Sequence, residues 1–210
     1  MKLVADINAL DTPSLFAASE RRIILHAAVY GAFARSRPHR HGLETALAKP
    51  GFERLDIIVL EPGCCEPWVR PFLEALRFGI SRQAADDEVA ASHAFVSELA
   101  ARHPGQVRVH PARRLPCLPI LVIDDTIVFG QYAHADIHAP QGFWGMIQAD
   151  VQTLLGWADT GKPPASASRE EVAAFRLINE CVRAMCACRA CPTFSFQHPD
   201  RRDIPAPNTP

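Results

Sequence analysis

Apolar positions along the chain follow two periods. Short continuous or alternating runs read as strands. Arg22–Ala27 (RIILHA) and Leu55–Leu60 (LDIIVL) are apolar runs of strand length, as in strands covered on both faces. Val107–His110 alternates, Pro119–Ile123 is continuously apolar, and Thr126–Phe129 follows after Asp124 and Asp125. Two apolar runs separated by two turn-prone residues predict a hairpin, and Gly130 closes its second strand. Between these runs the helical period takes over. Asp11 and Pro13 start a short helix over Ser14–Arg21. Gly42–Ala48 and Pro71–Ile80 read as helices, and so does Ala84–His103, with Val89, Phe95, Val96 and Leu99 on its apolar side. Phe143–Trp157 reads as one helix carrying Trp144, Met146, Ile147, Val151, Leu154 and Leu155. Ser168 and Glu171 form a capping box for a last helix, running to about Cys188, with a stripe of Val172, Phe175, Ile178, Val182 and Met185.

Strand, helix and strand over residues 22–60 make a crossover unit, which places those two strands side by side and parallel. With the hairpin added, the fold class is α/β: a mixed β-sheet flanked by helices. The organisation expected is an α/β domain over residues 1–157, a linker over 158–167, a C-terminal helix with a cysteine-rich end over 168–191, and a flexible tail over 192–210.

Composition narrows the function. Apolar residues make up 48% and charged residues 21%, ordinary values for a packed domain. Net charge is −1, so binding to a polyanion would need a local patch rather than bulk attraction. No apolar run reaches membrane-spanning length, and Asp6 and Asp11 make the N-terminus unlike a signal peptide. Seven cysteines, an odd number, fit a reducing, cytoplasmic setting better than a disulfide framework.

Three groups of residues carry candidate chemistry. Arg35, Arg37, His39, Arg40 and His41 cluster around Pro38 in what reads as a loop after a strand, and arginine forks match phosphate geometry. His134, Asp136 and His138 alternate, so an extended segment would point all three to one side as metal ligands or an acid–base pair. Cys181, Cys186, Cys188 and Cys191 offer thiols for zinc or an iron–sulfur cluster. A straight helix separates Cys181 from Cys188 by about 10 Å, so a site built on Cys186, Cys188 and Cys191 needs the helix to end by Cys186.

The stretch from Val107 to Ala135, with its strand, gap, apolar strand, Asp124, strand and Gly130, resembles the second half of a phospholipase D superfamily domain. The resemblance covers roughly residues 20 to 157. The family carries His-x-Lys-x4-Asp at this place. Asp124 stands at the Asp position and Gly130 at the closing glycine, but Cys117 stands at the His position and Pro119 at the Lys position. The resemblance therefore implies the fold and argues against the family's usual reaction, in which the histidine attacks phosphorus and the lysine holds phosphate oxygens. It also implies a homodimer, because single-domain members pair two motifs across one site.

Three readings follow. The first is a non-catalytic phospholipase D-like module that binds a partner protein or nucleic acid, with Arg35, Arg37, His39, Arg40 and His41 as phosphate contacts. The second is a homodimeric phosphodiesterase or nuclease using His134, His138 and Asp124, with His26 or His110 as further candidates. The third is a metal- or redox-responsive protein acting through its C-terminal cysteines. Proline at the lysine position favours the first, because charge-assisted donors supply most of what phosphoryl chemistry needs.

Overall fold

The computed structural model describes residues 1–76, 79–131 and 139–187. In chain order its elements are β1 (Lys2–Val4), a 3₁₀ turn (Ile7–Leu10), α1 (Thr12–Ala18), β2 (Arg22–His26), α2 (Gly31–Arg35), α3 (Arg37–Leu47) and β3 (Arg54–Leu60). There follow α4 (Val69–Leu76), α5 (Arg82–Arg102), β4 (Val107–Ala112), β5 (Ile120–Ile123), β6 (Thr126–Gly130), β7 (Trp144–Gln148), α6 (Val151–Thr160) and α7 (Arg169–Ala187).

The strands form one mixed sheet in the order β1-β7-β6-β5-β2-β3-β4. Strands β2, β3 and β4 are parallel, as the crossover pattern requires. Strand β5 runs antiparallel to β2 and forms the expected hairpin with β6 across Asp124 and Asp125. Strands β7 and β1 extend the antiparallel half. The α/β reading of the sequence therefore holds.

Side-chain alternation divides the core in two. Ile23, Leu25, Leu55, Ile57 and Val59 point to the side of α1, α3 and α5, packing with Phe16, Leu43 and Phe95. Ile24, Ile58, Ile120, Val122 and Ile127 point to the other side and meet Leu154 of α6 and Phe175, Ile178 and Cys181 of α7. The apolar stripe of α7 thus packs on the sheet of its own chain. Its capping box is formed: Ser168 Oγ accepts from the Glu171 amide at 3.2 Å, and Glu171 Oε2 accepts from the Ser168 amide at 2.7 Å.

Two local expectations are corrected. The arginine-rich stretch is helical, not a loop. It forms α2 and α3 with a break at Ser36, and Pro38 sits in the first turn of α3, where a missing N–H costs nothing. The single helix expected over Phe143–Trp157 is strand β7 followed by helix α6, with Asp150 capping the helix through the Thr153 amide at 3.0 Å. Pairing with β6 and β1 claims Trp144–Gln148 for the sheet. The N-terminal residues Lys2–Val4 form an edge strand that no alternating pattern announces. Helix α6 also runs into the stretch read as a linker and stops at Gly161, which takes the left-handed conformation (φ 79°).

Candidate functional site

In an open α/β sheet, ligands are received outside the carboxyl ends of parallel strands, where the chain's connections diverge. Here β2 is that place: the chain leaves it to build β3 and β4 on one side and returns to β5 on the other. A cleft of about 230 Å³ opens there. Its walls are the ends of β2 (His26, Ala27), β3 (Ile58, Leu60) and β4 (Ala112), the segment Arg113–Cys117, and Glu180 and Arg183 of α7.

Tyr30 fixes this end of the sheet. Its hydroxyl accepts from the Ala27 amide at 2.9 Å and lies 2.9 Å from the Leu25 carbonyl and 2.7 Å from the Ile58 carbonyl, to which it donates. One buried hydroxyl thereby ties β2 to β3 directly behind the cleft. Tyr30→Phe keeps the ring and strands these backbone groups. It is expected to cost about 2 kcal/mol, read as a lower urea midpoint at unchanged slope.

His26 forms the floor. It is 2% exposed, and its Nδ1 has no hydrogen-bond partner. Burial holds its pKa below the ordinary value despite the nearby Glu180 carboxylate, so the ring is neutral at neutral pH. Cys117 lies at the rim. Its partial burial and the charge of Glu180, toward which the thiol hydrogen-bonds, push its pKa up. The sulfur is therefore kept as a thiol, the opposite of an activated nucleophile. Pro119 is buried and faces a second, apolar cavity of about 260 Å³ together with Leu121 and Trp144. The positions that carry histidine and lysine in the phospholipase D pattern thus present a protonated thiol and an apolar ring.

The rim carries charge. Arg113 pairs with Glu61 through its Nε, and its carbonyl accepts from Trp68 Nε1 at 3.1 Å. Arg114 and Arg183 also line the cleft, both are exposed, and neither has a carboxylate partner among the described residues.

The other sequence candidates fall elsewhere. Asp124 is at the far end of β5 from Cys117. Its Oδ1 accepts from the amides of Arg21 and Arg22, both at 2.9 Å, and from Ser19 Oγ at 3.2 Å, while Oδ2 accepts from the Glu20 amide at 2.7 Å. It clamps the entry to β2. In the arginine cluster, Arg35 lies 3.8 Å from Glu88, and Arg40 makes a two-pronged contact with Glu98 at 2.9 Å. His39 is buried, stacked on Phe33, and held by Thr12 Oγ1 at 2.8 Å and Ser36 Oγ at 2.7 Å. Of the five residues, Arg37 and His41 are exposed and unpaired among the described residues. His110 of β4 is buried and bonded to Asp56 of β3 at 2.9 Å, and Arg54 Nε lies 2.7 Å from the other Asp56 oxygen without hydrogen-bond alignment.

His134, Asp136, His138, Cys188 and Cys191 lie outside the described residues. Helix α7 continues through Cys186 to Ala187. Cys181 is fully buried, and burial raises its thiol pKa strongly. Sequence reasoning missed Tyr30, Glu180, Arg183 and Arg114. The adjacent Arg113 and Arg114 directly after a strand were the available signal.

No helix among the described residues is long and apolar enough to cross a membrane. No family model matches the chain, and no curated protein matches it. Among solved structures, it aligns with TrmBL2, an archaeal chromatin protein with a novel mode of DNA binding, at TM-score 0.40 and 13% identity over 75% of this chain and 49% of that one. It aligns with phosphatidylserine synthase of Haemophilus influenzae Rd KW20 at TM-score 0.43 and 11% identity over 85% of this chain and 43% of that one. The chain thus spans about half the length, or less, of these structures. Overlap at this level assigns neither a family nor an activity.

Proposed function

We propose that the chain is a non-catalytic phospholipase D-like module that binds a phosphate-bearing partner, a nucleic acid, through the cleft at the ends of β2, β3 and β4. One observation carries the reading: the cleft pairs a disarmed motif with free cations. Cys117 is held as a thiol and Pro119 has no donor, while Arg114 and Arg183 have no carboxylate partner among the described residues at the rim. Such a site attracts phosphate but lacks the nucleophile and the lysine to act on it. The five described cysteines are all free, which fits the cytoplasm, and a homodimer would double the binding surface.

The test is retention of a labelled oligonucleotide by the full chain as salt is raised. Arg114→Ala/Arg183→Ala is expected to weaken binding about tenfold at 50 mM salt and to flatten the dependence on log salt by about two units. Equal affinity in wild type and variant would remove the cleft from the reading. Strand cleavage by the wild-type chain would replace it with the phosphodiesterase reading.

A further inference from the structure

The arginines divide by face. On the side of α3 and α5 most are paired: Arg35 with Glu88, Arg40 with Glu98, and Arg102 with Glu44 and Glu98. On the side of α7 several stand without a partner among the described residues, although Arg54 pairs with Asp56 and Arg113 with Glu61. Arg169, Arg176 and Arg183 recur every seven residues along α7. Seven residues are two turns less about 20°, so the three side chains share one stripe. All three are exposed, on the side of the helix opposite Ala174, Phe175, Ile178 and Cys181, which are buried against the sheet. None of the three has a partner among the described residues. The row is about 21 Å long at 1.5 Å per residue, and its last member, Arg183, stands in the cleft wall beside Arg114.

Strand β4 adds a fourth cation. Arg108 is exposed and stands opposite Asp56 in the register, on the face of the sheet that α7 covers. Three glutamates of α7 match its three arginines in number, and Glu180 lies within the stripe, about 40° around the helix from Arg176 and about 60° from Arg183. Glu171 is engaged in the capping box, and Glu180 turns to Cys117 in the cleft. Glu170 lies about 100° around the helix from Arg169. In a chain of net charge −1, unpaired arginines gathered on one face make a local field that the rest of the surface does not supply.

We infer that the outer face of α7, with Arg108, is the track along which a nucleic-acid duplex lies, its backbone phosphates reaching Arg114 at the rim of the cleft. The inference rests on the nucleic-acid reading above and names the surface and the form of the ligand. A duplex fits better than a single strand because the one aromatic side chain on the described part of α7, Phe175, is buried, so the track offers no platform for unstacked bases. Contacts of this kind go to phosphates and carry no sequence preference.

The experiment is fluorescence anisotropy of a labelled 20-base-pair duplex with the full chain between 50 and 200 mM salt. A single strand of the same length runs in parallel. Wild type is expected to show a log affinity against log salt slope of about −3 to −4 and to prefer the duplex. Arg169→Ala/Arg176→Ala is expected to weaken duplex binding at least tenfold at 50 mM salt and to shallow the slope by about two units. Its melting temperature should be unchanged, and Arg169→Lys/Arg176→Lys should restore most of the binding. Wild-type binding that survives Arg169→Ala/Arg176→Ala but falls in Arg114→Ala/Arg183→Ala overturns the track and leaves the cleft reading standing. Tighter binding of the single strand overturns the duplex assignment. No binding by the wild-type chain overturns both this inference and the reading it rests on.

Discussion

Replacing Asp124 with alanine is expected to destabilise the fold by about 3 kcal/mol, the largest effect of any single polar substitution outside the sheet interior. The aspartate holds three consecutive backbone amides, Glu20 to Arg22, and the Ser19 hydroxyl, and it does so from a left-handed backbone (φ 48°). Alanine loses all four bonds and keeps the unfavourable backbone, which costs about 1 kcal/mol more than in glycine. Asp124→Gly should therefore be less damaging than Asp124→Ala by about that amount, and Asp124→Asn, with one acceptor and tolerance of this conformation, should retain about half the stability. For a domain of this size the alanine variant should melt about 6–12 °C lower.

The pH dependence has a definite sign. Burial alone would raise the Asp124 pKa, but the hydrogen bonds from Glu20, Arg22, Arg21 and Ser19 outweigh it and hold the carboxyl below its ordinary value. An aspartate depressed in the folded state stabilises in full above its unfolded pKa of about 3.9, and the contribution is lost as pH falls through the folded value. The stability difference between wild type and Asp124→Asn should therefore be constant at neutral pH and shrink below about pH 4. A difference that grows on acidification would contradict the clamp.

The second large effect is expected at Ile178. Its side chain is fully buried where α7 meets Ile24, Ile58, Ile120 and Val122. Ile178→Ala should destabilise by about 3–4 kcal/mol, and Ile178→Val by about 1, because the sheet beneath is too closely packed to fill the space. Denaturant midpoints measure both. The consequence reaches function, since Glu180 and Arg183 ride on the same helix and form one wall of the cleft. A loosened α7 should weaken oligonucleotide binding even though Ile178 touches no ligand.

The sheet's centre was legible because its physics is local. Strands β2, β3 and β5 are covered on both faces, and each reads as a mainly apolar run of strand length, with Asp56 the one charged residue inside that of β3. The hairpin turn and the α7 capping box depend on residues two or three apart, so they too can be read directly. What failed depends on distant partners. Trp144, Met146 and Ile147 fit a helix as well as a strand, and only pairing with β6 and β1 decides between them. The arginine cluster reads as a loop, and its helices α2 and α3 form where α5 packs against them and brings Glu88 and Glu98 against Arg35 and Arg40. The cleft is non-local too: His26, Arg114, Cys117, Glu180 and Arg183 meet only because three strand ends and one helix end converge. Two of them were marked in advance, Cys117 by its place in the motif and His26 by its place inside an apolar strand.

The most direct measurement incubates the full chain with labelled duplex DNA at 50 mM salt, with and without divalent metal, and reads binding and strand breaks in the same sample. Binding is expected to weaken with salt and in Arg114→Ala/Arg183→Ala, and the DNA to stay intact in every condition. Strand breaks that disappear in His26→Ala would contradict it, because they would make the neutral imidazole on the cleft floor a working catalyst.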